Sequence, residues 1–368
     1  MRTPATVLTV AGLFAAAALS GCASTTPPTG AETPAAAASP SPPLPSPTPE
    51  ATASPEPSPS PSPDPDPTPT DAELAAIGVN ELGRVLVGEW HVIGDEDGEY
   101  RTSRETFREQ LQALYDRDYR PVTQQEFLAG TFPIPVGTSP VLLTFDDSTR
   151  GQFALDEDGN PEPDTAVGII EEFAAAHPDW RATAVFGFNF PDPFGDGDFQ
   201  RKLQWLVDNG YELSNHSLGH RNLSSLSGDE VVANLAENQA RLHAAVPGTP
   251  VPSLTLPLGI WPDDRAAALA GTGPDGTTYQ HDLVYLVGSD PNRSPHHADF
   301  DPAQIQRVPA HAVVGTGPEW FWNWLDRLDD EGLRFVSDGD PDVVTFPADL
   351  ADIADVDAPL QTRAYGSP

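Results

Sequence analysis

Proline restricts where this chain can fold. Residues 23–70 consist mainly of Pro, Ser, Thr and Ala, and prolines stand at every second position from Pro55 to Pro69. Proline fixes φ and has no backbone N–H, so this stretch can form neither a helix nor a sheet. We predict an extended, polyproline-like stalk that reaches on the order of 150 Å at about 3.1 Å per residue. Globular structure is therefore expected only from Asp71 to Pro368.

The N-terminus has the pattern of an export signal. Arg2 precedes an apolar run, Val7–Leu19, that is too short to cross a bilayer comfortably. The segment Leu19–Cys22 (LSGC) follows directly and resembles the bacterial lipobox. We interpret residues 1–21 as a lipoprotein signal peptide and Cys22 as a lipid-modified residue that anchors an exported protein to the cell membrane, facing the cell wall or the extracellular side. The alternative is an ordinary secreted protein with an incidental cysteine.

Charge and cysteine content exclude several classes of protein. The 368 residues include 55 Asp and Glu against 19 Lys and Arg, a formal net charge of −36. Only five of the acidic residues and one of the basic residues precede Asp71, so the negative charge belongs to the folded region. A nucleic-acid-binding protein needs a basic surface, so nucleic acid is not an expected partner. A single cysteine excludes an intramolecular disulfide and a cysteine-rich zinc finger.

Short apolar runs alternate with helix-length segments after residue 100, which predicts a parallel sheet with crossover helices, either open or closed as a barrel. In such folds the functional residues cluster at the C-terminal ends of the strands. We predict strands at 141–145, 182–188, 211–214, 253–256, 283–287, 305–308 and 334–336, and helices at 107–114, 165–176, 199–209 and 228–245.

Two carboxylates follow the first strongly apolar strand. The segment Thr144–Ser148 (TFDDS) places Asp146 and Asp147 at the point where that strand ends. Adjacent residues of a strand point to opposite sides, so the two carboxylates can have different roles. An Asp-Asp pair alone is weak evidence, since such pairs are common in loops.

Two histidines follow the strand predicted at 211–214. His216 and His220 are four residues apart, a spacing that would stack them on one face of a helical turn. One aspartate and two histidines at neighbouring strand ends would form a three-ligand set with an open fourth position, as in catalytic zinc sites.

These two segments resemble the first two motifs of a known family. Thr144–Ser148 and His216–His220, with the flanks Gly210–Asn215 and Arg221–Ser227, resemble the polysaccharide deacetylases, the NodB-homology enzymes of carbohydrate esterase family 4. The resemblance covers roughly Val85 to His311. It implies an α/β fold, a distorted (β/α) barrel of about seven strands, occupying a single domain at 71–368 that we expect to be monomeric.

The resemblance also implies roles for individual residues. Asp147, His216 and His220 would bind a divalent metal, expected to be zinc, and Asp146 would act as the general base. The segment 256–259 (LPLG) resembles the third family motif and makes the backbone N–H of Leu258 the candidate oxyanion donor.

The sequence departs from the family pattern at three places. The first motif usually ends in glycine, where this chain has Ser148. The third motif often carries an arginine that orients the base; residues 253–256 (SLTL) contain none, and Arg307 is the candidate substitute. The usual C-terminal Leu-x-His motif is absent, so we assign the general acid to His91, within Trp90–Gly94, with His311 as the alternative.

The expected activity is removal of N-acetyl groups from a cell-envelope or extracellular polysaccharide. An O-acetyl esterase acting on xylan or a similar glycan is the alternative within enzymes, because the same site would attack an ester. A catalytically weak glycan-binding lipoprotein is the alternative from another class. Of the remaining notable residues, we expect His296 and His297 to be exposed, His177 to cap a helix, and the aromatic residues of 320–324 to pack in the core.

Overall fold

The structure, a computed structural model, describes residues 69–195, 197–311 and 319–366. The signal peptide predicted at 1–21, Cys22 and the stalk up to residue 68 lie outside the described residues. Within the described ranges, no helix has the length and apolar character that a membrane span requires.

Fourteen strands and eight α-helices are present in the described part of the chain. The strands are β1 (Leu86–Trp90), β2 (Val92–Gly94), β3 (Arg101–Ser103), β4 (Tyr119–Pro121), β5 (Ser139–Phe145), β6 (Val185–Phe188), β7 (Glu212–Asn215), β8 (Ser253–Thr255), β9 (Ala270–Thr272), β10 (Thr278–Gln280), β11 (Leu283–Tyr285), β12 (Val308–Pro309), β13 (Val343–Pro347) and β14 (Gln361–Tyr365). The α-helices are α1 (Asp71–Ile77), α2 (Arg104–Asp116), α3 (Gln124–Ala129), α4 (Ala166–Ala176), α5 (Phe199–Asp208), α6 (Gly228–Ala245), α7 (Arg265–Leu269) and α8 (Glu319–Asp330).

Seven parallel strands form a ring. Their order is β1, β5, β6, β7, β8, β11 and β12, and β12 pairs with β1. A parallel bridge between Tyr285 of β11 and Ile305, just before β12, joins the remaining two ends. The predicted distorted barrel of about seven strands is confirmed. The strand β4 pairs with the first half of β5 and lies outside the ring.

The barrel strands are buried, except for the half-buried Glu212 at the start of β7. Every residue of β1, β5 and β6 is buried, as expected for parallel strands covered on both faces. Trp90, Phe145 and Phe186 stack in the core, with ring centroids 5.6 Å and 5.0 Å apart for the successive pairs. Helix α8 adds Phe321, which is fully buried, and Trp324, which is nearly so, and this confirms the predicted packing role of its aromatic residues.

Capping residues in the sequence explain where the helices begin and end. Ser227 caps α6 and forms a reciprocal capping box with Glu230, and the helix spans the predicted 228–245. Thr165 caps α4 at its N-terminus. His177 ends α4 as predicted, with its Nδ1 atom 2.9 Å from the carbonyl oxygen of Phe173.

Two expectations about the periphery are wrong. The segment predicted as a strand at 334–336 forms only single bridges, from Arg334 to Arg84 and from Val336 to Asn80. His296 and His297 are buried rather than exposed. His296 Nε2 lies 2.8 Å from the carbonyl oxygen of Gly130, a contact across 166 positions that the polar local sequence does not reveal.

Candidate active site

The polar motifs converge at one edge of the barrel. Strands β1, β5 and β7 are parallel, and the residues that directly follow them are His91, Asp146 and His216. The C-terminal ends of these strands therefore bring the three side chains to the same end of the barrel. They adjoin an open cavity of about 370 Å³ lined by Glu89, His91, Val92, Tyr100, Asp146, Asp147, His220, Leu258 and Val287.

Asp147, His216 and His220 form a compact group of potential metal ligands. Asp147 Oδ1 lies 3.5 Å from His216 Nε2 and 3.7 Å from His220 Nε2. One ligand atom from each residue lies within 4.8 Å of the others. Asn189 donates a hydrogen bond of 3.1 Å to Asp147 Oδ1 and helps to fix the carboxylate.

The donor set fits a zinc ion. His216 Nδ1 lies 2.7 Å from the carbonyl oxygen of Thr255, which makes Nδ1 the protonated nitrogen and leaves a lone pair on Nε2. That Nε2 atom is buried and has no hydrogen-bond partner among the described residues. A buried nitrogen lone pair that faces a carboxylate and a second imidazole is a donor arrangement suited to a divalent metal such as zinc.

A tight turn, not a helical turn, brings the two histidines together. Residues 216–220 have no helical structure, and the imidazole rings lie 4.8 Å apart because the chain turns sharply at Ser217 (φ 61°), Gly219 (φ 69°) and His220 (φ 50°). The helical geometry expected from their spacing is therefore wrong, although the proximity is as expected.

Backbone strain is also concentrated at the carboxylate motif. Asp147 has φ 72° and Ser148 has φ 43°, both in the left-handed region that favours glycine. The serine that replaces the usual glycine thus adopts the conformation for which glycine is suited. Non-glycine residues in this region cost about 1–3 kcal/mol each and cluster at functional sites. This backbone conformation turns the chain at Asp147, and the carboxylate lies next to both histidines.

Asp146 is held by Arg307. The guanidinium donates from Nη1 to Asp146 Oδ1 at 2.6 Å and from Nη2 to Oδ2 at 2.8 Å, and Arg307 is fully buried. Its Nε donates to the carbonyl oxygen of Leu286, and Nη1 also donates to Thr144 Oγ1. Arg307 therefore occupies the orienting position for which the segment 253–256 offers no candidate.

The same arginine influences two buried carboxyl groups differently. Burial alone would raise the pKa of Asp146, but the charge and hydrogen bonds of Arg307 hold it well below its usual range. Burial raises the pKa of Glu89 to about 7, because Arg307 touches Glu89 only through Nη2 at 3.3 Å. Asp146 is thus the ionised member of the pair at neutral pH.

Both candidate acids lie beside this pair. His91 Nε2 is 3.8 Å from Asp146 Oδ2 and 3.8 Å from Glu89 Oε1. The His311 ring packs against His91 at 4.7 Å, and Tyr100 packs against both rings. His91 lines the cavity, whereas His311 lies behind it and is almost completely buried.

The remaining predicted site residue lies at the rim. Leu258 is half exposed, has φ 61°, and lines the cavity together with Val287. The structure therefore brings every predicted site residue of the folded domain to this cavity or directly behind it. Glu89, Tyr100 and Asn189 were not anticipated, and only the placement of Glu89 in an otherwise apolar strand could have indicated one of them.

Comparison with known proteins agrees with this geometry. Residues 170–275 match the family model described as polysaccharide deacetylase. The predicted resemblance to the polysaccharide deacetylases is confirmed over this range. The matched range includes His216, His220 and Leu258. A chitooligosaccharide deacetylase of Sinorhizobium fredii (strain NBRC 101917 / NGR234) is 29% identical over 137 residues, which are 37% of this chain and 55% of that relative. The chain thus spans about half the length of this curated relative.

Solved structures of deacetylases are also similar. The Streptococcus pyogenes deacetylase PplD in complex with acetate has a TM-score of 0.49 at 15% identity, over 66% of this chain and 98% of that one. A putative polysaccharide deacetylase from Bacillus anthracis has a TM-score of 0.49 at 17% identity, over 66% and 69% of the two chains. IcaB from Ammonifex degensii has a TM-score of 0.46 at 19% identity, over 66% and 97%.

Proposed function

We propose that this protein is a metal-dependent hydrolase that removes N-acetyl groups from a cell-envelope or extracellular polysaccharide. The observation that supports it best is the juxtaposition of two units in one open cavity. One is the group Asp147, His216 and His220, with an unsatisfied buried nitrogen on His216. The other is the ionised Asp146 held by Arg307.

The residues divide the chemistry among them. A divalent metal held by Asp147, His216 and His220, expected to be zinc, would supply Lewis acidity toward an acetyl carbonyl and an attacking water. Asp146 accepts a proton from that water, and Arg307 keeps the carboxylate ionised and fixed in position. His91 is the proposed donor of a proton to the departing amine from Nε2, which lies 3.8 Å from Asp146 and from Glu89. Burial lowers the pKa of His91, and the charge of Asp146 opposes that shift.

The N-acetyl assignment is supported by the name of the curated relative, and the charge of the domain bears on the polymer instead. That relative is named a chitooligosaccharide deacetylase, which favours N-acetylglucosamine polymers as the substrate class. The strongly acidic domain would repel an anionic polymer, which favours a neutral glycan. The backbone N–H of Leu258, at the apolar rim, is the proposed donor to the developing oxyanion.

Metal analysis and acetate release test the proposal. The purified full chain is expected to contain about one zinc per molecule and to release acetate from N-acetylglucosamine oligomers or peptidoglycan faster than from acetylxylan. Chelation should abolish release, and added zinc should restore it. Faster release from acetylxylan would indicate an O-acetyl esterase instead. No bound metal and no acetate from any of the three would refute the enzyme assignment.

We further propose that the enzyme is anchored by lipid at Cys22 and holds its domain away from the membrane on the stalk. Cys22→Ser is expected to move the protein from the detergent phase to the aqueous phase in a detergent partition of bacterial cells that express the full chain. The zinc content of the folded domain should not change, since Cys22 precedes it. Equal partition of the variant and the unsubstituted protein would contradict lipidation.

A further inference from the structure

A second group of metal-type ligands lies beside Asp146, with His91 Nε2 3.8 Å from Asp146 Oδ2. Glu89, His91 and His311 each offer a ligand atom, and these atoms lie within 4.8 Å of one another. A carboxylate with two imidazoles is the same donor chemistry as the group at Asp147. The two groups share no residue, yet both border the cavity.

Three unsatisfied groups in this cluster point to a missing ligand. Neither nitrogen of His311 has a hydrogen-bond partner among the residues that the structure describes. The residue has a relative exposure of only 1%. His91 Nδ1 and Glu89 Oε2 are likewise buried without partners in the described ranges. Buried polar atoms without partners are rare in native proteins, so a concentration of them needs a physical cause.

The neighbouring arginine limits how strongly a cation can bind here. Arg307 Nη2 lies 3.3 Å from Glu89 Oε1, so a dication on the free Oε2 side would face a buried guanidinium. Asp146 and Asp147 supply the negative charge of the cavity at neutral pH, Glu89 adds to it when it is ionised, and Arg307 neutralises part of it. One dication at the Asp147 group would balance the remainder, which leaves a second dication without a counter-charge.

We propose that Glu89, His91 and His311 form a second, weaker divalent-cation site whose occupation inhibits the enzyme. A bound zinc would occupy a nitrogen lone pair of the His91 ring. The ring could then not become an imidazolium, so His91 could not deliver a proton. Excess zinc therefore switches the site off, whereas limiting zinc fills only the Asp147 group. The binding itself does not depend on the proposed activity; only the inhibition rests on it.

Zinc titration of the untagged, metal-free full chain by calorimetry tests the binding. The unsubstituted protein is expected to show a tighter and a weaker step. His311→Gln should lose only the weaker step, and Asp147→Ala should lose only the tighter one. His281→Gln, which changes another buried histidine with an unsatisfied nitrogen, is the matched control and should keep both steps. A single step in the unsubstituted protein, or two in His311→Gln, would overturn the proposal.

Activity assays then test the inhibition. Relative to its own rate at limiting zinc, His311→Gln is expected to lose much less activity at excess zinc than the unsubstituted enzyme does. If this variant is inactive at limiting zinc while it remains folded by circular dichroism, His311 belongs to the catalytic machinery and the inhibitory role is wrong.

Glu89→Gln provides a second test of binding should His311→Gln fail to fold, because it also should lose only the weaker step. Two binding steps in a chain that releases no acetate would refute the proposed function and leave the cation site standing.

Discussion

Arg307→Leu is expected to abolish acetate release and to lower the free energy of unfolding by about 3–5 kcal/mol, the usual cost of removing one partner of a buried ion pair. Arg307 is fully buried and is the cation that holds both Asp146 and Glu89. Without it two buried carboxyl groups lose their counter-charge, and Asp146 loses both hydrogen bonds that aim it. The pKa of Asp146 would then rise with its burial, and a protonated carboxyl cannot accept a proton.

Chemical denaturation and acetate release measure the two effects. Arg241→Leu is the control, because Arg241 forms an exposed ion pair with Glu237 that should be worth less than about 1 kcal/mol. Arg307→Lys keeps the charge but cannot make the bidentate contact, so it should recover stability more than activity. A loss of stability in Arg307→Leu no larger than that in Arg241→Leu would show that the buried pair is not what stabilises this end of the barrel.

The position of Arg307 also shows what could not be predicted from the sequence. It lies 161 residues after Asp146, and only barrel closure through Ile305 and β12 brings it to the site. The resemblance made Arg307 a candidate partner of Asp146. It did not indicate that Arg307 would be buried or that it would also contact Glu89. Glu89 itself interrupts the apolar pattern of β1, which is why that strand was not anticipated.

Element boundaries and motif positions were predictable where neighbouring residues determine them. Helix α6 is bounded by its capping box, and β5 is a continuous apolar run that ends at the two aspartates. The contact between His216 and His220 also followed from proximity along the chain. Its geometry did not, because a spacing of four fits both a helix and the tight turn that Gly219 permits. Strands β4 and β14 were missed because neither is an apolar run: β4 holds an arginine and a proline, and β14 is mostly polar and exposed.

The second large effect separates the two adjacent carboxylates. Asp147→Ala is expected to lose the tightly bound zinc and all acetate release, because it removes the only anionic member of the Asp147, His216 and His220 group. Asp146→Asn should retain zinc but lower the turnover rate by about 10²–10⁴-fold, the usual contribution of a general base. Asparagine is preferred to alanine at this position because its side-chain oxygen can still accept a hydrogen bond from Arg307.

Zinc content and turnover must be measured on the same preparations, since the prediction is a difference in pattern between neighbouring residues. Asp158→Asn, in an exposed acidic loop, is the control for loss of one negative charge and should alter neither quantity. Asp147 and Asp146 have separate partners in the structure, the histidine pair for one and Arg307 for the other. If both substitutions removed zinc, or both retained it with equal turnover, this division of contacts would not correspond to a division of roles. The strained turn at Asp147 would then need another explanation, because its evident effect is to point the two carboxylates at different partners.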